Sequence, residues 1–132
     1  MLVGRLHHAS FPVRDLDKSK HFYGEVLGLE EIDRPDFGFA GAWYSAGRGS
    51  GCEVHLIVPD DGFGDIGAAP SGLNPMAVHT AFAIDDYDRA VERFASHDVE
   101  VLGFGRDAGQ MWVKDPDGNM IELIVPPDPK NT

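Results

Sequence analysis

The sequence predicts an α+β fold made of two βαβββ modules. Three observations carry that prediction: an internal repeat, the same order of strand and helix patterns in both halves, and a long Gly/Pro-rich stretch between them. The repeat begins in residues 8–17, His8-Ala9-Ser10-Phe11-Pro12-Val13-Arg14-Asp15-Leu16-Asp17, and returns in residues 79–88, His79-Thr80-Ala81-Phe82-Ala83-Ile84-Asp85-Asp86-Tyr87-Asp88. Each run starts at a His, carries a Phe three residues on, and reaches Asp at the seventh and ninth following positions. The ends of the halves match as well, Val54-His55-Leu56-Ile57-Val58-Pro59-Asp60 against Ile121-Glu122-Leu123-Ile124-Val125-Pro126-Pro127. His8 and His79 lie 71 residues apart, and His55 and Glu122 lie 67 apart, so the copies differ little in length.

Each element follows from its own pattern. His8 to Val13 is rich in strand formers and runs into Arg14-Asp15-Leu16-Asp17, where an Asp can cap a helix. A helix over Lys18 to Leu27 puts Phe22, Val26 and Leu27 on one stripe, and Gly28 ends it. Strands are predicted over Leu29–Arg34, Phe39–Ala46 and Cys52–Val58, the last two joined by Gly47-Arg48-Gly49-Ser50-Gly51. The second half repeats the plan: a strand at Val78–Ile84, a helix from Tyr87 to His97, and strands near Val99–Phe104, Gln110–Lys114 and Met120–Val125. Asp115-Pro116-Asp117-Gly118-Asn119 is the turn between the last two. The boundaries are then a first module over about 5–59, a linker over about 60–76 and a second module over about 77–127, together one domain.

Composition excludes several classes of function. The chain has 132 residues, 42% hydrophobic and 25% charged, enough for a packed core and unlike a disordered segment. No apolar run approaches the ~20 residues of a membrane span, and Met1-Leu2-Val3-Gly4-Arg5 turns polar too soon for a signal peptide. A net charge of −11 repels phosphate backbones, so nucleic acid is not an expected partner. The single cysteine cannot form an internal disulfide, which fits a cytoplasmic location.

Four positions stand out. The repeat makes His8 equivalent to His79 and His55 equivalent to Glu122, and equivalent strand positions aim in equivalent directions. If the two modules pack face to face, the four side chains converge. Three imidazoles and a carboxylate suit Zn(II), Ni(II), Fe(II), Mn(II) or Co(II), without choosing among them. Glu122 sits in the apolar strand Met120-Ile121-Glu122-Leu123-Ile124, where an unpaired carboxylate is costly. Cys52 is an odd number of positions from His55 and drops out as a ligand. His7 is expected on the face opposite His8, and His21 and His97 on polar helix positions.

These residues resemble the vicinal oxygen chelate superfamily, which includes glyoxalase I, extradiol dioxygenases, fosfomycin resistance proteins and bleomycin resistance proteins. The resemblance runs from about Arg5 to Pro126. It is most specific at His8 to Leu16, at Phe22-Tyr23 with Leu27-Gly28-Leu29, at His79 to Asp86 and at Asp115-Pro116-Asp117-Gly118-Asn119 with Ile121-Glu122-Leu123. It implies an open, cup-like, eight-stranded sheet with helices outside, one divalent metal ion per site, a small-molecule substrate and a homodimer. It also implies that His8, His55, His79 and Glu122 are the metal ligands.

The implied chemistry is chelation of two neighbouring substrate oxygens and stabilisation of an enediolate-type intermediate, as in a glyoxalase-I-like lyase or isomerase. Glu122, the only carboxylate of the set, is the expected catalytic base. His55 stands where many glyoxalases have a second carboxylate. Further functions stay open: a non-haem Fe(II) extradiol dioxygenase using His8, His79 and Glu122, a metal-free drug-sequestering protein, epimerisation of a thioester-bound acid, and glutathione transfer to an epoxide antibiotic. Trp43, Tyr44 and Trp112 are candidate substrate contacts, with Phe37 and Phe39 nearby, and Arg48, Arg106 and Lys114 are candidate cations for an anionic substrate.

Overall fold

Each half of the chain opens with a short strand that runs into a capped helix and closes with three more strands. The computed structural model describes residues 1–47, 49, 51–60, 62, 65–69 and 72–127, and it comprises two compact units, Met1–Ile66 and Gly67–Thr132.

In the first unit, β1 (His8–Pro12) leads to α1 (Leu16–Lys20), then β2 (Glu30–Ile32), β3 (Gly41–Ala46) and β4 (Cys52–Ile57) follow. Asp15 caps α1 by accepting from the Lys18 amide at 3.2 Å. The predicted single helix is different here: from His21 to Val26 the backbone widens into a π-helix, marked by the Leu27 N–H bonding back to Phe22 O at 2.9 Å. The wider turn buries Phe22, Tyr23 and Val26 together, although the first two are sequence neighbours that a regular helix would splay apart. Gly28, at φ 79°, then ends the helix in a left-handed conformation that other residues adopt only with strain.

The sheet order is β1-β4-β3-β2, with β1 and β4 parallel and the other pairs antiparallel. Alternation sorts the side chains. Phe11, Ala42, Tyr44, Val54 and Leu56 are buried with Phe22, Tyr23 and Val26 as the core. The opposite face carries the cross-strand row Ser10, His55, Trp43 and Ile32.

The second unit repeats this plan. Its elements are β5 (Thr80–Ala83), α2 (Tyr87–Ser96), β6 (Leu102–Gly103), β7 (Gln110–Lys114) and β8 (Met120–Ile124), in the sheet order β5-β8-β7-β6. Asp86 caps α2 through the Arg89 amide at 3.1 Å, the same bond that Asp15 makes. The matching cross-strand row is Ala81, Glu122, Trp112 and Leu102. Tyr87 and Phe94, seven residues apart on one helix face, are buried with Met111, Val113, Ile121 and Leu123. The β7–β8 turn is held by buried Asp115, which accepts from the Asp117 and Asn119 amides and from Asn119 Nδ2. No helix is long and apolar enough to cross a membrane, among the described residues.

Candidate functional site

In the first unit, three rings lie in a stack on the face opposite the core. His55 is sandwiched between Trp43, 4.1 Å away and 6° from parallel, and His8, 3.9 Å away and 19° from parallel. The strand pairing produces this directly, since Trp43 lies opposite His55 on β3 and His8 is two positions before Ser10, its neighbour on β1. His55 Nε2 lies 2.9 Å from Glu53 Oε1, two residues back on the same strand face. Nε2 is thus the ring nitrogen committed to Glu53, and Nδ1 the other. His8 is held below the usual histidine range by burial first and then by the neighbouring His55 and His7. Glu53 is held below the usual carboxylate range chiefly by its hydrogen bond with His55.

His7 departs from the alternation expected of it. Its ring meets His8 edge-on and its Nδ1 lies 2.9 Å from His8 Nδ1. The reason is local: β1 starts at His8, so His7 is outside the strand and free of its period.

In the second unit, His79 stands just before β5. Its Nδ1 donates to Ala77 O at 2.7 Å, and its Nε2 faces Glu122 Oε1 at 2.9 Å. Glu122 is 6% exposed, and its other oxygen accepts from Gln110 Nε2 at 3.2 Å. With Nδ1 donating to Ala77 O, Nε2 is the nitrogen turned to the carboxylate, and Nε2 and Oε1 share either a proton or a metal ion. The donor set therefore fits a divalent metal ion, with the Ala77 carbonyl and Gln110 as the groups that orient the ligands.

The four predicted ligands come together two by two, His8 with His55 and His79 with Glu122. Among the described residues, no group of three or more His, Cys, Asp or Glu side chains is gathered as a metal centre.

The aromatic candidates divide. Trp43 and Trp112 share a face with His55 and Glu122 respectively. Trp112 is buried, meets His79 and Phe104 edge-on, and has an indole N–H without an acceptor among the described residues. Tyr44 is a correction. It is 2% exposed on the opposite face of β3, near Tyr23, because adjacent strand residues point to opposite sides. Phe37 and Phe39 lie in the connection before β3 rather than on a strand. Cys52 shares the parity of Val54 and Leu56, and its thiol bonds Leu6 O at 3.2 Å. Arg106 pairs with Asp88, Lys114 ends β7, and Arg48 lies outside the described residues.

Sequence reasoning missed Glu53, Gln110 and Arg34. The signal for the first two was available: each lies two residues from a chosen strand residue, His55 or Trp112, and so on the same face.

A family model of the Glyoxalase/Bleomycin resistance protein/Dioxygenase superfamily matches residues 5–123. The chain is 31% identical over 124 residues to "Glyoxylase I 4" of Arabidopsis thaliana, covering 89% of this chain and 68% of the relative. It is 30% identical over 136 residues to a "Probable lactoylglutathione lyase" of Vibrio parahaemolyticus, covering 94% and 92%. Among solved structures, an antibiotic binding protein from Streptomyces superimposes with a TM-score of 0.71 at 26% identity, covering 96% of this chain and 98% of that one. The duplicated βαβββ plan and the match over most of the sequence lead to one conclusion: the chain belongs to the glyoxalase/bleomycin resistance protein/dioxygenase superfamily.

Proposed function

We propose that this chain is a metal-dependent enzyme of the glyoxalase-I-like lyase or isomerase type, acting on a small molecule with two neighbouring oxygens. One observation carries it: His79 Nε2 and Glu122 Oε1 face each other at 2.9 Å while His79 Nδ1 is already committed to Ala77 O. The curated relatives named for glyoxalase I and lactoylglutathione lyase support the same class. In this proposal the metal ligands are His8 and His55 of the first unit and His79 and Glu122 of the second. Bound there, a divalent cation supplies Lewis acidity to adjacent substrate oxygens.

The chain's own residues do the rest. Glu122 is the base: with Gln110 steadying Oε2, the carboxylate takes the proton from a carbon that bears a hydroxyl and delivers it to the neighbouring carbonyl carbon, the hydroxyl proton passing to the former carbonyl oxygen. Ala77 O keeps a His79 proton on Nδ1, so that Nε2 is the ring nitrogen left to hold the ion. Trp43 and His8 clamp the His55 ring between them and fix its plane. Burial of Glu122 excludes water from the carboxylate and keeps the proton from being lost to solvent.

Elemental analysis of untagged protein tests this, with turnover of a methylglyoxal–thiol adduct. The expected result is about one divalent ion per chain, with both metal and turnover lost in His79→Ala and Glu122→Gln. A second reading comes from the antibiotic binding protein of similar fold. Metal-free protein that still binds a drug would establish that reading instead, and iron with catechol turnover would establish ring cleavage.

A further inference from the structure

We infer that Arg34 is a built receptor for an organic carboxylate, beside the ring stack of the first unit. Its guanidinium carbon lies 5.1 Å from the Phe37 ring centre and 5.0 Å from that of Phe39, and the two rings are themselves stacked at 5.8 Å. Nη2 donates to Phe39 O at 3.0 Å. The head group is thus held by two aromatic faces and a carbonyl, which fixes its orientation before any ligand arrives.

The backbone makes room for it. A side-chain carbon at Gly41 would collide with the Leu56 carbonyl, and the bare glycine also lets Arg34 Nε lie 2.9 Å from where that carbon would stand. Gly41 has the strand parity of Trp43, and Phe37 touches the Trp43 ring at 5.9 Å. The cation therefore joins the row Phe37, Trp43, His55, His8 on one surface of the sheet. It has no carboxylate partner among the described residues, in a chain where 22 acidic residues outnumber 11 basic ones. A guanidinium offers a rigid fork of N–H donors that matches a carboxylate at two points. The half-exposed Phe37 supplies apolar surface beside the fork, so the fitting ligand is a carboxylate on an apolar or aromatic body.

This deepens the proposed function by giving the substrate a second, anionic end, and it rests on that function only for the claim that the bound molecule is the substrate. Its test does not. The full chain, treated with chelator, is titrated with 4-fluorobenzoate and with 4-fluorobenzamide, and binding is followed by fluorine NMR. The expected result is saturable binding of the benzoate and none of the uncharged amide. Arg34→Met then weakens benzoate binding by about tenfold or more, the loss of a charge-assisted pair, and Arg34→Lys, which keeps charge but not the fork, falls between. Thermal melts of both variants confirm that they fold. Equal binding of amide and benzoate, no saturable binding to the parent chain, or unchanged affinity in a folded Arg34 variant would each overturn the inference. The metal reading stands or falls separately, on elemental analysis.

Discussion

Trp43 and His55 face each other across β3 and β4 with rings 4.1 Å apart, and the same two strand positions in the second unit hold Trp112 and Glu122. Each unit therefore sets a tryptophan against one predicted metal ligand. In the first unit the indole works as a plate that fixes the imidazole plane. Replacing Trp43 by Leu removes that plate and is expected to cost about 1–3 kcal/mol, less than a fully buried Trp because Trp43 is half-buried. Denaturant unfolding measures the loss, and histidine NMR reports whether His55 gains ring motion.

Gln110 holds Glu122 from the side away from His79. Gln110→Leu leaves one oxygen of a buried carboxylate without its donor. Metal affinity is expected to fall by about 10- to 100-fold, as when other orienting groups around metal ligands are lost. A competition titration with a chromophoric chelator reads it, and unchanged affinity would remove Gln110 from the site.

Asp115 ties the β7–β8 turn through three hydrogen bonds while 4% exposed. Asp115→Ala removes the acceptor shared by two backbone amides and a side-chain amide, so a loss of about 2–4 kcal/mol is expected. The turn carries β8 and with it Glu122, so metal content should fall with stability.

Tyr44 gives the pH dependence. Burial first, and then the charge of Glu31, push its hydroxyl up to about 12. The folded protein thus resists an ionisation that an unfolded chain undergoes near the ordinary tyrosine value of about 10. This contribution is intact below that value and is lost as pH rises toward 12. Melting temperatures of the parent chain should therefore drop more steeply over that range than those of Tyr44→Phe. The ultraviolet phenolate signal near pH 12 should also be smaller in the variant, which keeps Tyr23 and Tyr87 but lacks Tyr44.

The repeat made much of this legible in advance. The Asp expected to cap a helix in the Arg14–Asp17 run is Asp15, and Asp86 makes the same bond, to the amide three residues on, in the second unit. His55 and Glu122, equivalent by the repeat, occupy equivalent registers. What escaped has physical reasons. The π-helix arose because Phe22 and Tyr23 both seek the core, a packing demand that a 3.6-residue period cannot express. Tyr44 was grouped with Trp43 although strand alternation separates neighbours, so that error was avoidable. Arg34 was out of reach: it lies outside any strand, and only the close approach over Gly41 shows where its head group rests.

In both units the paired donors straddle the parallel union of the opening and closing strands, β1 with β4 and β5 with β8. That union spans the greatest sequence separation within each unit, so it forms at the largest loop-closure cost and opens early when a terminus frays. Any guest that grips both donors of a pair acts as a clasp on its unit's longest seam.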